Sequence, residues 1–359
     1  MIYSITAIGF FLLSIYLWRE DSKEKMRLAF VLSVSWLILY EGLRWDIGTD
    51  FMSYYDAFKY DDNEHMGFIY RFLNNCFRYF TDIYNIFLLF VSLCIYTVVG
   101  LLMYRHSPNP MISLCIYYMT MLGIMGANRQ LLAMAVTILS LHFVFERRKY
   151  LFILTIFVAA LFHITALLFI FAYPFFNYQY SKKKALIVVG IAFVIGVLKL
   201  INQIPFVEYL ALIDGMNSGT DLAGYVESQT SLSVSLFGSF KRLLLVYIAL
   251  YAKDFIDDEK YNYFLAIYII GCCVYLVFNG SVLQIMAGRG AMYYSVYECI
   301  VIAYIIINYP GSFFEKEILW ALLFVLYFFL MWRDMGNYVI LTGEDVYNPY
   351  KTILFYRPI

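Results

Sequence analysis

The sequence predicts an all-α, polytopic integral membrane protein, and three observations carry that prediction. The 359 residues are 63% hydrophobic and 14% charged, where soluble domains run at roughly 45–50% and about 25%. Apolar runs recur from end to end, and about 20 apolar residues as helix cross a hydrocarbon core of roughly 30 Å. Lipid offers no partner to an unpaired backbone group, so such runs must be helical; the strict alternation of a membrane β-barrel is absent. Formal net charge is zero, which gives a nucleic-acid partner no electrostatic support.

Twelve or so spans are expected, near 2–18, 28–43, 83–103, 111–127, 130–146, 150–161, 164–177, 184–204, 232–252, 261–279, 288–308 and 317–332. The first run, "MIYSITAIGFFLLSIYLW", lacks a basic leader and a small-residue cleavage site, so it reads as a retained span. At 1.5 Å per residue the segments 150–161 and 164–177 are each too short to cross alone. Charge decides between a hairpin and one merged span. With the N-terminus outside, "REDSKEKMR", "YRHSPNP", "ERRKY", "YSKKK", "KDFIDDEK" and "NYPGSFFEKE" all face the cytoplasm, carrying about fourteen lysines and arginines. Merging the short pair would send "YSKKK" and every later loop to the wrong side. The positive-inside rule therefore predicts a turn near Phe162–His163, in a hairpin that dips in and returns. The chain reads as a single integral membrane domain over 1–359. It has a large outer loop at 44–82, a second at 205–231 and a C-terminal tail at 333–359 on the same side. Of six cysteines, five lie in apolar runs and none forms a CxxC pair, so they read as small buried hydrophobes.

On this topology the costly polar residues gather at the outer face. "LRWDIGTDFMSYYDAF" brings Arg44, Asp46, Asp50 and Asp56, "GANRQLLA" brings Arg129 and Gln130, and "ALFHITAL" brings His163. "GSFKRLLL" holds Lys241 and Arg242, and "MAGRGAMYY" holds Arg289. Arg44, Lys241 and Arg242 could equally snorkel as interface anchors, and His106 and His142 read as structural. Arg129 has no acid close in sequence, and an interfacial charge without a local partner marks a functional site. Several arginines converging suit a phosphate or diphosphate through bidentate contacts. Tyrosine numbers 35, and rings with polar tips pack on sugars as well as forming interface belts. Walker A, HExxH and GxSxG patterns are absent, so no ATP site, zinc site or serine nucleophile is indicated. A Mg²⁺ site at Asp61–Asp62 has no supporting signal.

"GTDFMSYYDAF", "NRQLLAMAV" followed by "ALFHITALLF", "GRGAMYYSVY" and the terminal "NPYKTILFY" resemble, in order and approximate spacing, the EpsG family of bacterial membrane proteins. That family includes Wzy-type O-antigen and exopolysaccharide polymerases. The resemblance implies a GT-C-like glycosyltransferase of the inner membrane, acting at its periplasmic face on undecaprenyl-diphosphate-linked oligosaccharide repeat units. It implies no cofactor, metal or nucleotide sugar, and a chain-length regulator as a protein partner. Carried onto these motifs, Arg129 and Arg289 would hold the leaving diphosphate, with Arg44 and Arg242 as weaker candidates. Asp50 or His163, with Asp46 third, would act as base or orient the attacking hydroxyl. A catalytic His163 would show its charge change near pH 6.5. Gln130, Tyr54, Tyr55, Tyr293 and Tyr294 would line sugar or lipid. Two other readings share much of this chemistry: a flippase for the same lipid-linked oligosaccharide, and a ligase-like transferase using another acceptor. A flippase would be expected to carry polar residues through the midplane and to show internal repeats; here the polar residues favour one face and no repeat is visible.

Overall fold

Helix starts are written into the loops. Ser22, Asn109, Ser181, Asp258 and Ser312 each accept a backbone N–H bond in the first turn of the helix that follows, satisfying a donor the helix leaves open. A computed structural model describes residues 1–60, 66–176, 180–204, 232–281, 283–284 and 286–356. The loop expected at 205–231 and the pair Asp61–Asp62 lie outside the described residues.

The described chain is helical throughout. Helices α1 (Ile2–Glu20), α2 (Lys23–Gly42), α3 (Phe51–Tyr60), α4 (Phe68–Phe80), α5 (Tyr84–His106), α6 (Pro110–Met121), α7 (Asn128–Phe145) and α8 (Lys149–Ala160) form the first half. A 3₁₀ segment, Ile164–Phe171, runs into α9 (Ala172–Phe176), followed by α10 (Lys182–Val197), α11 (Leu232–Ala252) and α12 (Glu259–Phe278). One π-helical turn, Met286–Gly290, leads into α13 (Ala291–Ser295), α14 (Glu298–Asn308) and α15 (Phe313–Thr342). The tail expected from residue 333 therefore begins as ten further residues of α15.

Among the described residues, α1, α5, α7, α12 and the stretch Phe313–Asn337 of α15 are long and apolar enough to cross a bilayer. A sixth is added if Met286–Ser295 and Glu298–Asn308, bent by 46°, count as one span. The twelve expected spans are thus not all matched by crossing-length helices. Pro110–Ile124, Lys149–Ala160 and Ile164–Pro174 are apolar but short; twelve α-helical residues reach only about 18 Å. The chain does turn at Leu161–His163, and α8 and the 3₁₀ segment pack together as a hairpin.

Side-chain contacts sort the connections into two ends. Tyr3, near the start of α1, donates to the Tyr347 carbonyl at 2.6 Å, while Trp18 near its finish packs on Phe313 with ring centres 4.9 Å apart. His106, Phe145 and Phe264 meet at the Trp18 end, and Tyr180 reaches Asn262 there. The six basic loops thus share one end. The other end is closed by the C-terminal tail: Trp45 N–H donates to the Lys351 carbonyl at 3.0 Å, Gly48 N–H to Val346 at 2.9 Å, and Tyr350 stacks on Tyr40 at 4.8 Å.

Two loops cross at that second end with their backbones in contact. Thr49 N–H donates to the Met125 carbonyl at 3.0 Å. Gly48 (φ +101°) and Gly126 (φ +109°) make the crossing possible, since a Cβ on Gly126 would stand 2.7 Å from the Thr49 nitrogen. Gly126→Ala is therefore expected to destabilise by about 1–3 kcal/mol from backbone strain alone, and by more from the clash. Gly190→Ala, in α10 with nothing within 4 Å of its Cβ position, should be neutral or stabilising by up to about 1 kcal/mol. Thermal unfolding of the two purified variants checks this; equal midpoints would show that the loops do not touch.

Candidate active site

The loop crossing fixes where the functional side chains go. Residue 50 follows directly from Thr49 on one loop, and Arg129 and Gln130 follow from Gly126 on the other, in the first turn of α7. Tyr54, one turn into α3, accepts a hydrogen bond from Arg129 Nε at 3.2 Å. The start of α7 adds its own partial positive charge beside the guanidinium.

The hairpin turn delivers His163 to the same place. Gly67, just before α4, lies against this turn: a Cβ there would be 2.5 Å from the Phe162 carbonyl. His163 is 8% exposed and Gln130 7%. The Gln130 amide nitrogen lies 3.3 Å from His163 Nε2, His163 Nδ1 lies 2.7 Å from Thr165 Oγ1, and Thr165 lies 3.1 Å from the Tyr293 hydroxyl. With Gln130 as donor to Nε2, Nδ1 carries the proton and donates to Thr165. Both imidazole nitrogens are then engaged. Arg289 comes from the π-helical turn, an irregularity that often accompanies a functional site.

Electrostatics tie the four together. Asp50 lies within reach of the charges of Arg289 and Arg129, and so does His163. Asp50 is accessible to solvent, yet it stands among enough protein that burial raises its pKa above the ordinary carboxylate value, against the pull of Arg289 and Arg129. The crossed loops, the hairpin turn and the π-helical turn gather around this solvent-open carboxyl, and the space they share is termed the recess. His163 is pushed the other way: burial first, then Arg289 and Arg129, lower its pKa to about 3. It is neutral throughout the physiological range, so the charge change near pH 6.5 expected of a catalytic His163 does not follow from this site.

Other residues expected at the site are placed differently. Arg44 is fully buried and donates to the carbonyls of Ile47 and Glu41 at 2.9 Å each and to Asn128 Oδ1 at 3.1 Å, with the Glu41 carboxylate 3.1 Å away. It has no open face for a diphosphate and instead brackets the end of α2 to the start of α7. Asp46 pairs with Lys351 of the tail at 2.8 Å. Tyr55 packs among Trp45, Phe51 and Tyr84, and Tyr294 is buried and donates to the Leu168 carbonyl. Arg242 lies 3.4 Å over the Tyr275 ring and donates to the Gly238 carbonyl at 3.1 Å. Beside it Lys241 pairs with Glu298 at 3.3 Å, and Tyr327 donates to Glu298 at 2.6 Å. Arg242 thus belongs to a second polar cluster, within the bundle.

Thr165, Asn128 and Glu41 take part although none was singled out from sequence. Glu41 carried a usable signal: "YEGLR" sets it three residues before Arg44, within reach across the end of α2. Glu41→Ala would leave Arg44 as an uncompensated buried charge, a loss of about 3–5 kcal/mol. Its expected signature is a lowered thermal midpoint and poor recovery from the membrane; a midpoint equal to wild type would show that Arg44 finds another anion. Among the described residues, no group of three or more His, Cys, Asp or Glu side chains is placed to hold a metal ion.

A family model described as "EpsG family" matches residues 27–352. No curated protein and no solved structure matches the chain. The matched region takes in both crossing loops, the hairpin turn, the π-helical turn and most of the tail that closes them. The chain belongs to the EpsG family, which is related to the Wzy-type polymerases.

Proposed function

We propose that this protein is a polysaccharide polymerase that joins undecaprenyl-diphosphate-linked oligosaccharide repeat units at the periplasmic face of the bacterial inner membrane. The observation that carries this reading is the recess where Asp50 stands within reach of Arg129 and Arg289. The chemistry needs one acceptor for a proton and strong cations for a leaving diphosphate, and the recess supplies both. The acceptor sugar hydroxyl attacks the anomeric carbon of the growing chain. The new C–O bond forms as the bond to the lipid diphosphate breaks. Asp50 takes the hydroxyl proton, and the departing diphosphate carries away the electron pair. Arg129 and Arg289 stabilise the charge it gathers; such preorganised donors act strongly where water is excluded. His163, neutral and held between Gln130 and Thr165, orients Gln130 toward substrate and does not itself take the proton. Tyr54 and Tyr293, both buried, act from behind: Tyr54 accepts from Arg129 Nε and Tyr293 contacts Thr165.

Sidedness supports the same reading. The recess lies at the end opposite the six basic loops, which the positive-inside rule assigns to the cytoplasm. A strain lacking the protein should accumulate lipid-linked single repeat units on the outer face and display one unit where a ladder stood. Units trapped inside would identify a flippase instead. Purified protein given lipid-linked units alone should make polymer without nucleotide sugar. Loss of that activity in chelator, with recovery on adding Mg²⁺, would overturn the arginine-based assignment.

A further inference from the structure

Helices α10 and α12 lie side by side and run in the same direction. The Tyr180 hydroxyl, just before α10, donates to the Asn262 carbonyl at 3.2 Å, and Gly196 near its finish lies against the Leu276 carbonyl. Between them opens a groove of about 570 Å³ whose walls are almost wholly apolar, including Ile187, Cys273 and Val274. Its lining on α12 extends from Ala266 to Phe278, about 18 Å of helix at 1.5 Å per residue. That is close to the depth of one leaflet, half of a hydrocarbon core of roughly 30 Å. Lys184 and Tyr180 line the groove at the end that carries the basic loops.

We propose that this groove binds an anionic phospholipid of the leaflet on the basic-loop side, with one acyl chain between α10 and α12 and the phosphate on Lys184. Charge complementarity selects the occupant. Lys182, Lys183 and Lys184 open α10 in succession. Lys253 joins them from the end of α11, donating to the Tyr180 carbonyl at 3.4 Å and lying 4.2 Å over its ring. Two of the acids in the facing loop are engaged: Asp254 pairs with Lys182, and Asp258 caps α12 by accepting the Lys260 N–H at 2.7 Å; Asp257 and Glu259 are exposed. The lysines also oppose one another, since Lys253 is shifted below the ordinary lysine pKa by partial burial and by Lys182; an anion seated among them relieves that opposition. The charge is at the wrong end for the polyprenyl substrate. A lipid whose diphosphate sits at Arg129 and Arg289 would bring the tip of its tail toward Lys184, and not a phosphate.

The test is native mass spectrometry of the full-length protein after exchange into phosphatidylglycerol or phosphatidylcholine with the same acyl chains. Retention of one phosphatidylglycerol with about a tenfold preference is expected, since each lysine near a phosphate contributes about a fivefold gain. Lys184→Glu should erase the preference. Val274→Trp or Ile187→Trp, either of which fills the groove, should lose the bound lipid altogether. Equal retention of the two lipids by the wild type, or an undiminished preference in Lys184→Glu, would overturn the proposal. So would undecaprenyl phosphate displacing phosphatidylglycerol in the wild type but finding no site in the tryptophan variants, because the groove would then belong to the substrate.

Discussion

Polymer formation by Arg129→Ala is expected to fall by about 10²–10³-fold, the usual cost of removing one preorganised donor from a site of developing charge. The protein should still reach the membrane, because Arg129 is only partly buried and Asp50, whose charge it faces, is open to solvent and keeps Arg289 within reach. Arg289→Ala should behave alike. The lysine variants are the sharper probe. A guanidinium presents two parallel N–H groups to a diphosphate, and an ammonium on a flexible stem cannot. Arg129→Lys and Arg289→Lys should therefore keep little activity, although the charge is unchanged. If both are essential to one leaving group, the double alanine variant should cost much less than the product of the singles. Normal chain length in the lysine variants would reduce both residues to point charges or interface anchors. Arg44 supplies the contrast: its variants should fail by unfolding, visible as lost protein in the membrane, because its guanidinium holds α2 to α7 and faces no recess.

Arg44 and Arg129 also show what the sequence could reveal about this fold. Both follow a helix or a turn near the same membrane surface, and both look like costly cations free to meet a ligand, although Arg44 has Glu41 three residues away. Only the packing separates them, through Asn128, which is 84 residues from Arg44 along the chain. The membrane class was readable because lipid constrains composition at every position. The turn at His163 was readable because charge in distant loops fixes the parity of crossings before it. The number of crossing helices was less so. An apolar run has the same composition whether it spans the bilayer or ends after twelve residues inside a bundle, as α8 does. The seats of Asp50, Gln130 and Arg289 follow from two glycines at positive φ and one π-helical turn. A glycine in sequence announces permission for such a backbone without saying what crosses it. The tail "NPYKT" likewise reads as a family signature, while its structural work is to strap the loop that carries Asp50.

Asp50→Asn, nearly isosteric, should lower the rate of polymerisation by about 10²–10⁴-fold if Asp50 takes the hydroxyl proton. The pH dependence then identifies the base. Burial holds the Asp50 pKa above its ordinary value, so the protonated, inactive form persists to higher pH than in an exposed aspartate. Activity should rise with pH through one inflection that lies above the ordinary aspartate value and then stay level. His163 adds no second inflection between pH 5 and 8, because it is already neutral above about pH 3. His163→Gln should reduce the rate through misplacement of Gln130 while leaving the inflection where it was. Asp50→Asn should remove the inflection along with the activity. An inflection near pH 6.5 that disappears in His163→Gln and survives in Asp50→Asn would hand the proton to the imidazole. The pair Gln130 and Thr165, now read as fixing the tautomer, would then have to release one ring nitrogen when substrate binds.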